Sequence, residues 1–214
     1  LKLIFLISAA SFIIGLIFTI KLPNPVQKKE IIPGTTKQVI LKNKFLFLSL
    51  LLRHIGAAAV WTILPIMIVE KLGGELYHIS IVYVANTMTA FILMNIMASK
   101  IHLSNVTKFK IGIGCTTFVF VGLSIVTEWW MAMPFMALVG ATWAFLFIGG
   151  NFHLMENNPR STSTGIFSST LSIATVIGPI IAGTIAFTFD YISVMYFAIV
   201  IIVMAFVVSL KIKN

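Results

Sequence analysis

Seven runs of about twenty apolar residues, separated by polar connections, constrain this chain more than any other feature. They occupy residues 1–20, 45–69, 77–98, 111–127, 130–150, 164–188 and 191–210, roughly 150 of the 214 residues. A helix that crosses some 30 Å of hydrocarbon at 1.5 Å per residue needs about 20 mostly apolar residues. Little chain is left for an extramembrane domain. Strands satisfy their backbone groups in lipid only by closing a barrel, and the alternating ten-residue pattern of such a barrel is absent. The sequence therefore predicts an all-α membrane protein with seven transmembrane helices. Composition agrees, because only 10% of residues are charged and 59% are hydrophobic, whereas a soluble domain is about 25% charged. Too little polar surface remains to cover a water-soluble particle, which excludes a soluble enzyme or a cytosolic binding module.

The net charge of +9 would point to a polyanion in a soluble protein. Its placement gives a different account. Lys21, Lys28, Lys29, Lys37, Lys42 and Lys44 lie between the first two runs, Lys100, Lys108 and Lys110 between the third and fourth, Arg160 before the sixth, and Lys211 and Lys213 in the tail. These alternate connections hold twelve basic residues, while the other set holds Lys2 and Lys71 with Glu70, Glu75, Glu128 and Asp190. Such a partition is a positive-inside signal and predicts residues 21–44 and the C-terminus in the cytoplasm of a cell-membrane protein. The charge is thus topological, and no nucleic-acid partner is expected. Cys115, the single cysteine, forms no intrachain disulfide or thiolate metal cluster and reads as a small apolar filler.

The first run starts without a polar lead. A signal peptide fits it poorly, because the run exceeds a usual h-region, no small-x-small cleavage site follows, and the lysine cluster lies on its C-terminal side. The expectation is a partial chain whose upstream helices are missing. Residues 21–44 are the longest polar stretch, and Pro23, Pro25, Pro33 and Gly34 prevent a continuous helix through their first part. Residues 37–44 are compatible with a short interfacial helix. The predicted layout is one transmembrane helix over 1–20, a basic cytoplasmic loop over 21–44 and a six-helix bundle over 45–214. Short connections predict that successive helices of the bundle pack antiparallel.

Polarity within the apolar runs marks candidate functional residues. Arg53 lies about eight residues, or roughly 12 Å, inside the second run. An arginine at that depth costs about 2.5–3.5 kcal/mol on insertion scales unless it faces water or a partner. It fits either contact with an anionic substrate or bonding to helix-end carbonyls at a bundle interface. His54 beside it reads as a packing histidine or a proton carrier, and Trp61 and Pro65 follow along the face of Arg53. Tyr83, Asn86, Thr87, Ala90 and Met94 share one face of the third run, and Asn86, near its middle, needs a neighbouring helix or a substrate as partner. In the fifth run Trp143 sits deep, with Gly140, Phe147 and Asn151 on its face, as cavity lining or as packing. Trp129 and Trp130 are boundary anchors.

The sixth run carries three patterns. Ala174, Gly178 and Ala182 recur every four residues and permit close helix approach. Ser168, Ser172 and Thr175 form a hydroxyl stripe, and Pro179 removes a backbone hydrogen bond and permits a bend. With Arg160 and Gly165 at its entry and Ile-Gly-Pro-x-x-x-Gly through Gly178, Pro179 and Gly183 in its core, this run resembles the eleventh helix of the major facilitator superfamily of transporters. The stretch from Arg53 to Pro65 is similar to that family's seventh helix. The resemblance covers the chain as helices six to twelve, with residues 21–44 as the loop between two halves. One departure is visible: residues 98–110 keep only the basic character of the family's Gly-x-x-x-Asp-Arg/Lys-x-Gly-Arg/Lys loop, so no latch built on that aspartate is expected.

The resemblance implies a permease that moves a small solute by alternating access, coupled to a proton or another ion or uncoupled, with a missing N-terminal half-bundle as its structural partner. It implies pathway contacts at Arg53, His54, Trp61, Asn86, Trp143 and Thr175, and bending or gating at Pro65, Arg160, Gly165, Gly178, Pro179 and Gly183. The alternative is a non-transporting membrane scaffold or accessory subunit. No P-loop, His-Glu-x-x-His or Gly-x-Ser-x-Gly occurs, and no acid lies within an apolar run. Neither an enzyme, nor a cofactor, nor a bound metal is expected, and a carboxylate that carries protons would belong to the missing half.

Overall fold

Apolar length and local capping together account for the helices. The structure, a computed structural model, describes residues 2–21, 35–99, 101–156 and 158–213, those of 2–8 and 97–99 in backbone only. Pro23, Pro25, Pro33, Gly34, Lys28, Lys29 and Lys100 lie outside the described residues. The helices are α1 (Lys2–Lys21), α2 (Thr36–Lys42), α3 (Lys44–Glu70), α4 (Leu76–Ser99), α5 (Asn105–Ser124), α6 (Ala132–Glu156), α7 (Arg160–Thr188) and α8 (Tyr191–Ser209), with a 3-10 turn over Trp129–Met131 before α6. Among the described residues there is no strand. Each of α3 to α8 is long and apolar enough to cross a membrane, and the protein is an all-α, multi-pass membrane protein. α1 spans 20 residues and forms one unit, within Leu1–Ile31, while α2 to α8 form a second, Ile32–Asn214.

Several boundaries differ from the hydropathy reading, and each difference has a local cause. The fourth run, 111–127, becomes α5 from Asn105 to Ser124, because the Ser104 hydroxyl accepts from Thr107 N at 3.2 Å and starts the helix in polar sequence. Lys108 and Lys110 therefore belong to a helix and not to a connection. The fifth run extends to Glu156 and the sixth begins at Arg160, so polar turns lengthen both. The short helix expected over 37–44 is α2, begun by a capping box in which Thr35 Oγ1 accepts from Gln38 N and Thr35 N donates to Gln38 Oε1 at 2.9 Å. It packs into the bundle through buried Val39. At α8, hydrogen bonding from Ser193, side chain and backbone, holds the capping Asp190 carboxyl below its ordinary pKa.

Apart from α5 and α6, successive helices do not pack most closely on one another, contrary to the expectation from short connections. α3 lies against α7 and α8, α6 lies against α4 and α5, and α5 meets α8, whereas α3 with α4 and α7 with α8 touch only lightly. Among successive pairs only α5 and α6 pack tightly. A connection of a few residues sets direction, but small side chains decide where helix backbones meet. At Gly178 on α7 a Cβ would meet Ala58 Cβ at 2.6 Å and Ile55 O at 2.8 Å on α3. At Gly140 on α6 a Cβ would collide with the backbone of Asn86 on α4. Gly112 on α5 stands likewise against Thr142 and Leu146 of α6, and Gly56 on α3 against Ala198 and Ile202 of α8.

Cross-links fix the two ends of the bundle. At one end Trp129 N donates to Leu72 O at 3.0 Å, and the Tyr191 hydroxyl donates to Glu70 at 2.8 Å. At the other Lys110 Nζ donates to Ile212 O at 2.9 Å, and Asn105 Nδ2 donates to Glu156. The second end gathers Lys42, Lys44, Lys108, Lys110, Arg160, Lys211 and Lys213; the first holds Glu70, Lys71, Glu75, Glu128 and Asp190. The charge partition read along the sequence is a polarity between two ends of this bundle.

Candidate functional site

α3 carries a basic and aromatic group into the space between itself and α6, two helices whose backbones are not among the closely packed pairs. Arg53 is fully buried. Its Nη2 donates to Thr116 Oγ1 on α5 at 3.3 Å, and its guanidinium carbon lies 5.5 Å from the ring centroid of Trp143 on α6. The Thr116 hydroxyl itself donates to Gly112 O at 2.6 Å, which leaves its lone pairs for Arg53. Among the described residues, Arg53 Nε and Nη1 are buried without a hydrogen-bond partner. Five donors in a rigid fork call for several acceptors, and here one hydroxyl and one ring face meet them.

His54 continues the cluster. Its ring stands edge-on to Trp61 at 5.5 Å and 82°, and tilted on Trp143 at 5.5 Å. Trp143 leads on to Phe147 at 5.4 Å and Phe147 to Phe167 of α7 at 5.7 Å, so one aromatic series joins α3, α6 and α7. His54 Nδ1 and Trp61 Nε1 are also buried with no hydrogen-bond partner among the described residues. The backbone at Trp61 is anchored, since the Tyr83 hydroxyl of α4 donates to Trp61 O at 3.0 Å. Four buried nitrogens without a partner thus belong to three neighbouring side chains. An arrangement of this kind offers a cation and N–H donors to an anionic or strongly polar acceptor within apolar walls.

The structure brings together Arg53, His54, Trp61 and Trp143, and leaves the other expected residues elsewhere. Asn86 is half-buried where α4 crosses Gly140, and its side chain makes no hydrogen bond to the cluster. Thr175 is exposed and donates to Ser172 O at 2.7 Å. Pro65 and Pro179 are half-buried inside α3 and α7, both of which run through them without interruption. Gly165 and Gly183 are exposed, with open space where a Cβ would lie, so neither serves close packing inside the bundle. Arg160 opens α7 at the basic end, beside a cavity of about 340 Å³ with Phe152, Met155 and Glu156. Thr116 and Phe167 were not expected. A threonine in an apolar run commonly bonds its own helix, and no spacing on α3 names its partner on α5.

α7 shows three faces. Ser163, Phe167, Thr170, Ala174, Gly178 and Ala182 are buried against the bundle. Ser168, Ser172, Thr175 and Gly183 form an exposed small and hydroxyl-bearing face, and Ile173, Val176, Ile180 and Phe187 an exposed apolar one. The outward hydroxyls of Ser172 and Thr175 donate to carbonyls of their own helix.

No protein-family model matches this chain, and no curated protein matches it either.

Proposed function

We propose that the chain is the C-terminal half, with one preceding helix, of a secondary transporter of the major facilitator type, which moves a small solute across the cell membrane by alternating access. The observation that carries this reading is the internal symmetry of helix packing. Exchanging α3 with α6, α4 with α7 and α5 with α8 maps the close pairs onto one another: α3 on α7 and α8 corresponds to α6 on α4 and α5, and α5 with α8 maps to itself. A three-helix unit repeated after an odd number of crossings is inverted with respect to its copy. Inverted three-helix repeats, with polar sites between them, characterise this class of transporter. The Arg53 cluster lies between α3 and α6, the leading helices of the two units.

In this reading the unfilled donors of Arg53 receive an anionic group of the solute, with Trp143 and Trp61 as apolar walls. The exposed hydroxyl and glycine face of α7 borders the path shared with the N-terminal half, and residues 21–44 and the C-terminus are cytoplasmic. The test is solute flux in vesicles containing the full-length protein. Arg53→Ala is expected to abolish flux and Asn86→Ala to reduce it; unchanged flux in both would refute the assignment. The outward face of α7 also fits a partner helix, which supports the second reading of a non-transporting scaffold. Flux of any solute by the purified protein excludes that reading.

A further inference from the structure

We propose that a cavity at the basic end of the bundle binds the phosphate headgroup of an anionic phospholipid. The cavity has a volume of about 460 Å³ and is formed where the start of α3, the end of α6 and the C-terminal tail converge. Lys42, Lys211, Lys213 and His153 line it, with Phe45 and Leu46 as an apolar wall. None of its described lining residues is acidic. The ammonium groups of Lys44 and Lys211 lie 5.2 and 5.6 Å from the centroid of the Phe45 ring, so the aromatic wall of the cavity is itself flanked by cations.

The cavity is built. Asn43, between α2 and α3, donates to Val39 O at 2.9 Å and reaches Asn158 Oδ1 at 3.5 Å, which ties Lys42 to the entry of α7. Lys110 holds the tail through Ile212 O, and so positions Lys211 and Lys213 on either side of that anchor. Both restraints fix the backbone that carries the lysines, so only their side chains have to order when a ligand binds. A soluble phosphate would use the charges alone. The apolar wall and the location at the ends of membrane-spanning helices, the level of lipid headgroups, favour a lipid. Basic pockets between transmembrane helices on one leaflet commonly take such headgroups. This site is separate from the Arg53 cluster, and its occupancy does not depend on transport.

The experiment measures lipid retained by the intact chain in mixed micelles, with phosphatidylglycerol offered against phosphatidylcholine, for the wild type, the triple variant Lys42→Gln/Lys211→Gln/Lys213→Gln, the triple Lys→Arg variant and Lys71→Gln at the opposite end. Wild type is expected to prefer phosphatidylglycerol, and at about fivefold per near-surface cation the triple glutamine variant loses on the order of a hundredfold of that preference. The arginine triple and Lys71→Gln keep it, and the arginine triple separates loss of charge from loss of folding. Equal retention by wild type and the glutamine triple overturns the proposal. So does displacement of the lipid by glycerol phosphate at equal concentration, which would make the ligand a soluble anion.

Discussion

The guanidinium of Arg53 is fully buried with two nitrogens unpartnered, whereas the hydroxyls of Ser172 and Thr175 are exposed on α7 and each donates to a carbonyl of its own helix. Both place polar atoms in membrane-spanning sequence, with opposite consequences. A hydroxyl three or four residues along a helix satisfies itself whatever it faces, and its exposure demands no partner. A guanidinium has more donors than a neighbouring turn can accept, so its burial does demand one. On the proposed reading, the solute contact is therefore expected at Arg53, and the α7 face, whose hydroxyls are already satisfied, is expected to border the path without binding solute strongly.

Replacing the cation without its volume tests the first half of this contrast and carries the largest effect. Arg53→Met is expected to lower solute flux at least about a hundredfold, since each hydrogen bond to a charged group contributes about 1.5–3 kcal/mol. The melting temperature of the detergent-solubilised protein should hold or rise, because a buried cation that lacks an acid is removed. A melting temperature lowered by many degrees would instead make Arg53 a packing element.

α7 allows the contrast to be drawn within one helix. Gly178→Leu forces side-chain atoms into Ala58 and the carbonyl of Ile55 and is expected to destabilise the bundle by about 3 kcal/mol. Gly183→Leu enters open space and should change stability by less than about 0.5 kcal/mol. Thermal melts of the two variants check this pair. If Gly183→Leu nonetheless stops flux, its face borders the path; if flux is unaffected, that part of the proposed path is wrong. The smallest effect is expected from Ser172→Ala and Thr175→Val. Each loses a hydrogen bond made within its own turn, and each should shift stability by less than about 0.5 kcal/mol. A larger shift in either melt would mean that the exposed face is covered by a partner.

Hydropathy and charge order made much of this molecule legible. Crossing a bilayer imposes one length and one secondary structure on every apolar run, so α3 to α8 follow from composition along the chain. The two polar ends follow from alternation, because each crossing reverses direction. The small-residue stripe of Ala174, Gly178 and Ala182 was equally readable, since a helix face is a local property. Residue type also singled out Arg53, His54, Trp61 and Trp143, for an arginine, a histidine and deep tryptophans are all costly in lipid without a role. Helix limits were less legible where Ser104 and Thr35 begin helices in polar sequence, beyond the reach of an apolar window.

Helix partners depend on long-range packing and could not be read this way. Short connections pointed to sequence neighbours, yet α3 packs on α7 and α8 through Gly178 and Gly56, and α6 packs on α4 and α5 through Gly140 and Gly112. Whether a glycine face meets a neighbour or opens outward, as at Gly183, depends on atoms of another helix far along the chain, as where Gly178 meets Ala58 and Gly140 meets Asn86. The same holds for the site. Its residue types are local, but the distance from Arg53 to Thr116, the tilted contact of His54 with Trp143, and the exposure of Thr175 arise only when six helices share one volume.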